Sequence, residues 1–340
     1  MKPTIYDVAE KAGVSIATVS KVINHLPVGQ KTKAKVLAVM QELNYRPSIL
    51  ASALTGKGTA TIGFLLPDLA NPFVAEMARR VEDRAHERGF NVVICSTDFD
   101  RTKEARYISL LRQKSVDGFI LAGGFKNVDL IMELLKGHIP VVLLAESYPS
   151  LSINSVKVDD FSGGYEVASH LLSLGHRQIA VIAEEASSSQ ERIRGYKQAM
   201  QDKGVKIQNE WIVIAGSSSE DGKRAAAELL DRSNPPTAIF ACNDLLAIGV
   251  ILAAREQGFQ IPGDLSIVGF DNTLLSMSSD PPLTTVEQPI QEMCAQVVDL
   301  LMEEIEGKGK AKQRIMMMPQ LIIRQSTTTF CPGDAVKNPS

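Results

Sequence analysis

Cysteine, tryptophan and long apolar runs are all scarce in this 340-residue chain. Its four cysteines (Cys95, Cys242, Cys294, Cys331) lie far apart with no Cys-x-x-Cys spacing, which excludes a disulfide framework and a zinc cluster and suggests buried apolar fillers. No stretch approaches the ~18 apolar residues of a membrane span, and the N-terminus lacks the basic, apolar, small-residue succession of a secretory signal. The expectation is a cytoplasmic protein with no membrane contact. Catalytic signatures are missing too: there is no Gly-x-x-x-x-Gly-Lys-Ser/Thr, no Gly-x-Ser-x-Gly and no His-Glu-x-x-His. The histidines are scattered, and His170 and His176, six apart, do not share a helical face as a metal pair would. No enzyme, metal or cofactor is expected.

What is present begins with 44% apolar residues, enough for a large core divided among two or three domains at roughly 100 to 200 residues each. Charge is unevenly spread. Residues 1–60 carry eight basic groups and three acidic ones, so of the overall −3 the first segment holds +5 and the remainder −8. A small basic head on an acidic body suggests that the head meets a polyanion, although a charge run can equally be a solvated face.

The head reads as three short helices. In "TIYDVAEKAG" Thr4 can cap a helix with Asp7 reaching back, Gly13 can end that helix in a left-handed conformation, and Ser15 can cap the next. Val19, Val22 and Ile23 then point inward, and a third helix, roughly Thr32 to Leu43, lays Val36, Met40 and Leu43 against the pair. A helix-turn-helix places its second helix in the DNA major groove, and the small or apolar leading turn of "GVSIATVSKVINH" permits close approach to bases and thymine methyls. Ile16, Ala17 and Lys21 are the expected base readers. Ser15, Thr18 and Ser20, with Lys2, Lys31, Lys33 and Lys35, are expected on phosphates, and Thr4, Tyr6 and Asn24 belong to the same DNA-facing set. A plain helical hairpin is the alternative.

From Thr61 on, short apolar runs alternate with amphipathic stretches. "TIGFLLPD", "NVVICST", "DGFILAGG" and "PVVLLAES" read as parallel strands separated by helices such as "PFVAEMARRVEDRAHERGF", where Met77, Val81 and Ala85 recur at helical spacing. The pattern restarts at "QIAVIAEE" and runs through "WIVIAG", "TAIFACND" and "LSIVGFDN". The fold class is therefore α/β: a three-helix head plus two doubly wound parallel-sheet subdomains. "RIMMMPQ" reads as a core strand and "GKGK" as a basic loop. Such sheets bind ligands beyond the carboxyl ends of their strands, which directs attention to residues 68–73, 123–124, 145–146, 184–192, 217–219, 243–244 and 271–272.

"TIYDVAEKAGVSIATVSKVIN" and "VLAVMQELNYRPSILASALTGKGTATIGFLLPD", followed by "SVDGFILAGG", "LLSLGHRQIAVI", "PTAIFACNDLLAIG", "SIVGFDN" and "PPLTTVEQP", resemble the LacI/GalR family of bacterial transcription regulators over residues 2 to about 329. Within it the chain looks most like the degradation-activator type. The resemblance implies a head at 1–47, a hinge helix and linker at 48–59, one core subdomain from 60–159 with 289–319, a second from 160–288 with 320–329, and a tail at 330–340. It implies a homodimer on a pseudopalindromic operator, with Leu54 of each hinge helix wedged into the central base step; Leu54 in an ordinary linker is the alternative. The core is then periplasmic-binding-protein-like, with a small effector covered by Phe73 and held by Arg192, Asp271 and Asn243. Each has a duller reading: Phe73 packing a helix start, Arg192 pairing with Asp271 across an empty cleft, Asn243 capping a helix. Ala145 then Glu146 stand where relatives often grip ligand hydroxyls with an acid, and serines stand where the purine-binding branch has an aromatic stacker. These departures argue against a purine; the effector expected is a sugar or another small metabolite, and the departures themselves do not select a sugar. The tail has no heptads to join dimers into tetramers.

Two rivals share parts of this pattern. A sugar-binding transport protein would have the same core but a signal peptide and no basic head. A regulator controlled by a protein coregulator would keep the head and a vestigial cleft.

Overall fold

The computed structural model describes residues 3–23, 26–45, 58–309 and 311–330. Lys2, Asn24, Leu54 and most of the expected hinge and tail lie outside the described residues.

In the head, α1 (Ile5–Ala12), α2 (Ile16–Ile23) and α3 (Gln30–Glu42) form a three-helix unit. Thr4 and Asp7 close a capping box: the Asp7 carboxylate accepts the Thr4 N–H at 2.6 Å while Thr4 Oγ1 accepts the Asp7 N–H at 3.5 Å. The Thr4 N–H and hydroxyl hold the Asp7 pKa below its ordinary value. Gly13 has φ 60 and ends α1 as expected, and Ser15 Oγ accepts the Thr18 N–H at 3.2 Å at the start of α2. Val8, Ala12, Val19, Val22, Val36 and Val39 are buried among the three helices. Helix α3 begins at Gln30, ahead of the expected Thr32, because the Gly29 carbonyl already accepts the Lys33 N–H. Val39, rather than Met40 and Leu43, joins Val36 in the buried core, and the latter two only flank it.

The body contains two parallel sheets. The first is built from β1 (Thr61–Leu66), β2 (Asn91–Ser96), β3 (Gly118–Ala122), β4 (Val141–Leu144), β5 (Asn154–Val158) and β11 (Arg314–Met317), in the order β11-β5-β4-β3-β1-β2. The second is built from β6 (Ile179–Glu184), β7 (Ile212–Ala215), β8 (Ala238–Ala241) and β9 (Ser266–Val268), in the order β7-β6-β8-β9. In each sheet the chain turns back on itself beside its first strand, β1 or β6, which leaves a crevice at that switch point. A short antiparallel pair, β10 (Thr285–Glu287) with β12 (Gln320–Ile322), completes the strands described.

Helices α4 (Pro72–Glu87), α5 (Arg101–Gln113), α6 (Val128–Lys136) and α12 (Ile290–Ile305) serve the first sheet; α7 (Asp160–Ser173), α8 (Ser187–Asp202), α9 (Ser219–Leu230), α10 (Asp244–Glu256) and the short α11 (Leu274–Ser278) serve the second. Met77, Val81 and Ala85 on α4 meet Val297 and Leu301 on α12 in one core cluster, and Asp299 joins the same two helices through Arg84 at 2.8 Å and Arg88 at 2.7 Å. The chain therefore crosses between sheets after β5, before α12 and after β11.

One expectation is corrected and one strand is added. "RIMMMPQ" is a strand, but an edge strand: β11 alternates exposed and half-buried residues, with Met316 57% and Met318 64% exposed. Period-two alternation at an uncovered edge, rather than a continuous apolar core run, explains it. "NSVKV" does not read as a strand because Asn154 and Lys157 interrupt the apolar run, yet it forms the inner strand β5. Cys95, Cys242 and Cys294 are buried free thiols, as expected.

In the second half, glycines bring helix backbones into direct contact. A Cβ on Gly164 would lie 2.0 Å from the Arg192 carbonyl oxygen, and one on Gly195 2.0 Å from that of Phe161, fastening α7 to α8. Gly222 and Gly249 repeat the device between α9 and α10. His176, buried at the foot of β6, bridges Thr237 Oγ1 at 2.9 Å, Ser266 Oγ at 3.0 Å and the Thr328 carbonyl at 3.0 Å, pinning the C-terminal segment. A carbonyl only accepts, so Nε2 carries the proton and Nδ1 is the acceptor in the neutral ring.

Gly195→Ala is expected to cost about 1–3 kcal/mol or more by overpacking, read as a lower denaturation midpoint with an unchanged slope. Burial holds the His176 pKa below its ordinary value of 6.5, so its contribution to stability is present above that pH and is lost as pH falls through the depressed folded value. Relative to His176→Gln, the parent should lose stability as pH falls below about 6.5; parallel denaturation curves check this.

Candidate functional site

The carboxyl ends of the strands line a cleft between the two halves of the body. It holds about 840 Å³ of space free of atoms, its solvent-open mouth included. The first half supplies Asp68, Asn71 and Phe73 after β1, Phe99 after β2, and Gly123 and Gly124 after β3; the second supplies Glu184, Ser187, Ser188, Arg192, Asn243 and Asp271. Phe73 arrives there because Asn71 caps α4, its Oδ1 accepting the Phe73 N–H at 2.9 Å, with Pro72 preset for the first helical turn.

Arg192 sits on the floor, 4% exposed. Its Nε and Nη2 donate to Asp160 Oδ1 at 2.9 and 2.8 Å, Nη1 donates to the Cys242 carbonyl, and the guanidinium lies 3.5 Å from the centroid of Phe270. Burial opposes its charge, but the fields of Asp160, Asp271 and Glu184 outweigh that and raise its pKa. The direct ion-pair partner is thus Asp160, not Asp271. Asp271 accepts from Gln288 Nε2 at 2.7 Å, and burial lifts its pKa well above an ordinary carboxylate despite nearby Arg192. Glu184 is likewise raised by burial. Asn243 does two jobs: its Oδ1 caps α10 by accepting the Leu246 N–H at 2.7 Å, and its Nδ2 donates to Glu184 at 3.0 Å. The capping reading of Asn243 is therefore realised alongside its place in the cleft wall.

Asp244, one residue on, accepts from Thr273 and Thr285 and ties the turn after β9 to β10; burial pushes its pKa up to about 6. Across the mouth, Ser187 Oγ donates to Glu146 Oε1 at 3.1 Å and Oε2 at 3.0 Å, joining the two halves. Backbone strain gathers at this rim: Phe99 (φ 56), Ala145 (φ 56) and Asp271 (φ 112) are left-handed non-glycine residues, a conformation costing about 1–3 kcal/mol each that persists where surrounding structure enforces it.

All four effector residues expected from sequence, Phe73, Arg192, Asn243 and Asp271, line this one cleft. Asp160, Gln288 and Phe99 were missed. Asp160 follows the unread strand β5 and Gln288 the equally unread β10, whereas Phe99 follows β2, which was read as a strand, so the strand-end rule applied to β2 would have reached Phe99 and applied to β5 would have reached Asp160.

On the head, Ser15, Ile16, Ala17 and Lys21 are exposed on α2, with Thr18 and Ser20 half-buried beside them. Tyr6, at 67%, and Lys31 are exposed as well, while the Thr4 hydroxyl is engaged with Asp7. Val19 and Val22 face the core, so the sequence placed both faces of α2 correctly. Among the described residues, no group of His, Cys, Asp or Glu side chains could hold a metal ion, and no helix is long and apolar enough to cross a membrane.

A helix-turn-helix head followed by a cleft-bearing α/β core defines a DNA-binding transcription regulator with a ligand-binding body. Residues 4–48 match the bacterial regulatory proteins of the lacI family and residues 168–327 match the periplasmic binding protein-like domain. The HTH-type transcriptional regulator DegA of Bacillus subtilis (strain 168) is 49% identical over 334 residues, 96% of this chain and 99% of that protein. The lac repressor dimer bound to operator and the anti-inducer ONPF superposes with a TM-score of 0.86 at 29% identity, covering 96% of this chain and 100% of that one. A LacI family regulator from Enterococcus faecium with bound ribose gives 0.73 at 33% identity over 80% of this chain and 100% of that one. The chain belongs to the lacI family of bacterial transcriptional regulators.

Arg192→Ala strands Asp160 and the other buried carboxylates without their cation, at an expected cost of about 3–5 kcal/mol at neutral pH. Denaturation curves of the parent and variant at neutral pH check this.

Proposed function

We propose that this regulator acts in the cytoplasm as a homodimer whose affinity for a pseudopalindromic operator is set by an uncharged, hydroxyl-rich metabolite in the cleft. On the DNA side, Ile16, Ala17 and Lys21 read base edges; Ser15, Thr18, Ser20 and Lys31 position phosphates, helped by Thr4, Tyr6 and Asn24; and Leu54 is the minor-groove wedge. On the ligand side, Phe73 covers the effector while Arg192, Asn243 and Asp271 hydrogen-bond it.

The observation that carries this reading is the preassembled floor: Arg192 held by Asp160, with Asp271 and Asn243 on the same cleft wall. Carboxylates and amides so placed accept hydroxyl protons, and ribose in the Enterococcus faecium relative supports the same ligand class. An effector that prefers one angle between the two halves shifts DNA affinity, and DNA shifts effector affinity by the same factor.

Selection from a genomic library of short duplexes at two salt concentrations tests the DNA side. The expected result is a pseudopalindrome with a central CG step, retained at the higher salt, whereas uniform binding that collapses with salt would overturn operator specificity. Lys31→Ala should weaken all sequences alike and reduce the salt slope by about 0.9 for each phosphate it no longer neutralises, while Lys21→Ala should relax preference at one position of each half-site.

A further inference from the structure

Phe99 is placed in the cleft wall by an arrangement that packing alone does not require. It follows Asp98, and the two residues are consecutive left-handed positions with φ 52 and 56. Asp98 is anchored by an ion pair to Lys103 and by the Ser96 hydroxyl at 2.9 Å, while the Asp98 N–H donates to the Pro67 carbonyl at 2.7 Å. These bonds hold a turn that aromatic residues rarely adopt, and they aim a half-buried ring at the cleft rather than into the sheet core. Gly124 makes room for it: a Cβ there would lie 2.7 Å from Phe99 Cε1. The Lys126 ammonium lies over one face of the ring, 5.7 Å from its centroid, and the ring lines the cleft.

The charges around the ring add a second constraint. Asp68, Asp160, Glu184 and Asp271 line the same cleft against the one cation Arg192 among its lining residues, and Arg192 has already committed donors to Asp160 and the Cys242 carbonyl. An anion entering here meets a largely occupied guanidinium and the same burial that already disfavours charge on Asp271 and Glu184.

We propose that Phe99 is the specificity-determining wall of the effector site, the surface on which the ring of an uncharged polyol is laid, and that with the acidic lining it rejects the corresponding phosphate ester. This rests on the cleft being the effector site. The C–H face of a sugar ring carries the weak positive charge that the negative face of an aromatic ring attracts.

Calorimetric titration of the full-length protein with uncharged pentoses, hexoses and cellobiose, each pentose and hexose paired with its 5- or 6-phosphate, tests the proposal. At least one uncharged sugar is expected to bind, with its phosphate at least about tenfold weaker. Phe99→Asn, which suits the left-handed turn but removes the ring, should lower affinity for that sugar by about tenfold, and Phe99→Tyr should restore it. Ligand-free melting curves establish that both variants are folded. Undiminished binding by Phe99→Asn overturns the wall, and a phosphate that binds better than its parent sugar overturns the charge selection. Binding by no uncharged sugar overturns the ligand class. Loss of binding in Phe99→Asn that Phe99→Tyr does not restore assigns the residue a purely structural role. Undiminished binding by Phe73→Ala and Asp271→Asn as well as by Phe99→Asn would instead place the ligand outside the cleft, which defeats the cleft reading itself and not only the role of Phe99.

Discussion

Burying one guanidinium organises the body of this protein. Arg192 is placed by α8 at the floor of the cleft with 4% of its surface exposed, and a cation so deeply buried persists only if acceptors are gathered around it. They come from separate parts of the chain: Asp160 from the crossing after β5, the Cys242 carbonyl from the end of β8, with Glu184 and Asp271 contributing their fields from the ends of β6 and β9. The flat guanidinium suits this task because its donors fan outward in one plane while its face rests on Phe270. Strand ends that would otherwise be loosely connected thus converge on one point, and that point is the floor of the cleft.

The same floor lies at the crossings between halves. Asp160 and Gln288 each stand where the chain passes from one sheet to the other, and each holds a residue that faces the ligand space: Asp160 holds Arg192, and Gln288 holds Asp271. A ligand that pulled on Arg192 or Asp271 would therefore act on the segments that join the two halves. Bistable packing of rigid bodies is what converts so small a displacement into a change of angle. The bodies themselves are stiff. In the second half, backbone-to-backbone contact at Gly164, Gly195, Gly222 and Gly249 leaves no slack between paired helices, and in the first, α4 and α12 share an apolar seam closed by Arg84, Arg88 and Asp299.

Strain at the rim fits this division between stiff bodies and a responsive seam. Phe99, Ala145 and Asp271 occupy a backbone region unfavourable to their side chains, and each borders the cleft rather than a surface loop remote from it. The Ser187–Glu146 hydrogen bonds bridge the mouth at the same level. The ligand space is thus enclosed by residues whose positions are imposed by their surroundings, which limits how far the wall can adapt to ligands of other shapes.

Sequence by itself determined what is local in this protein. The Thr4–Asp7 capping box, the left-handed Gly13, the inward Val19 and Val22 and the alternation of strands with helices are set by neighbours within a few residues, where the periods of helix and strand leave a direct imprint. Strand ends followed from the same periodicity and marked the stretches that hold Phe73, Arg192, Asn243 and Asp271, and the resemblance to the LacI/GalR family singled those four out. Strands β5 and β10 were not, since polar residues break the first and the second is three residues long, and Asp160 and Gln288 were lost with them. Tertiary structure alone decided the partners. Arg192 meets Asp160 across 32 residues and the Cys242 carbonyl across 50, and the period of a helix or strand carries no information over such distances; only the closing of sheets and crossings into one packed body brings those atoms within bonding range.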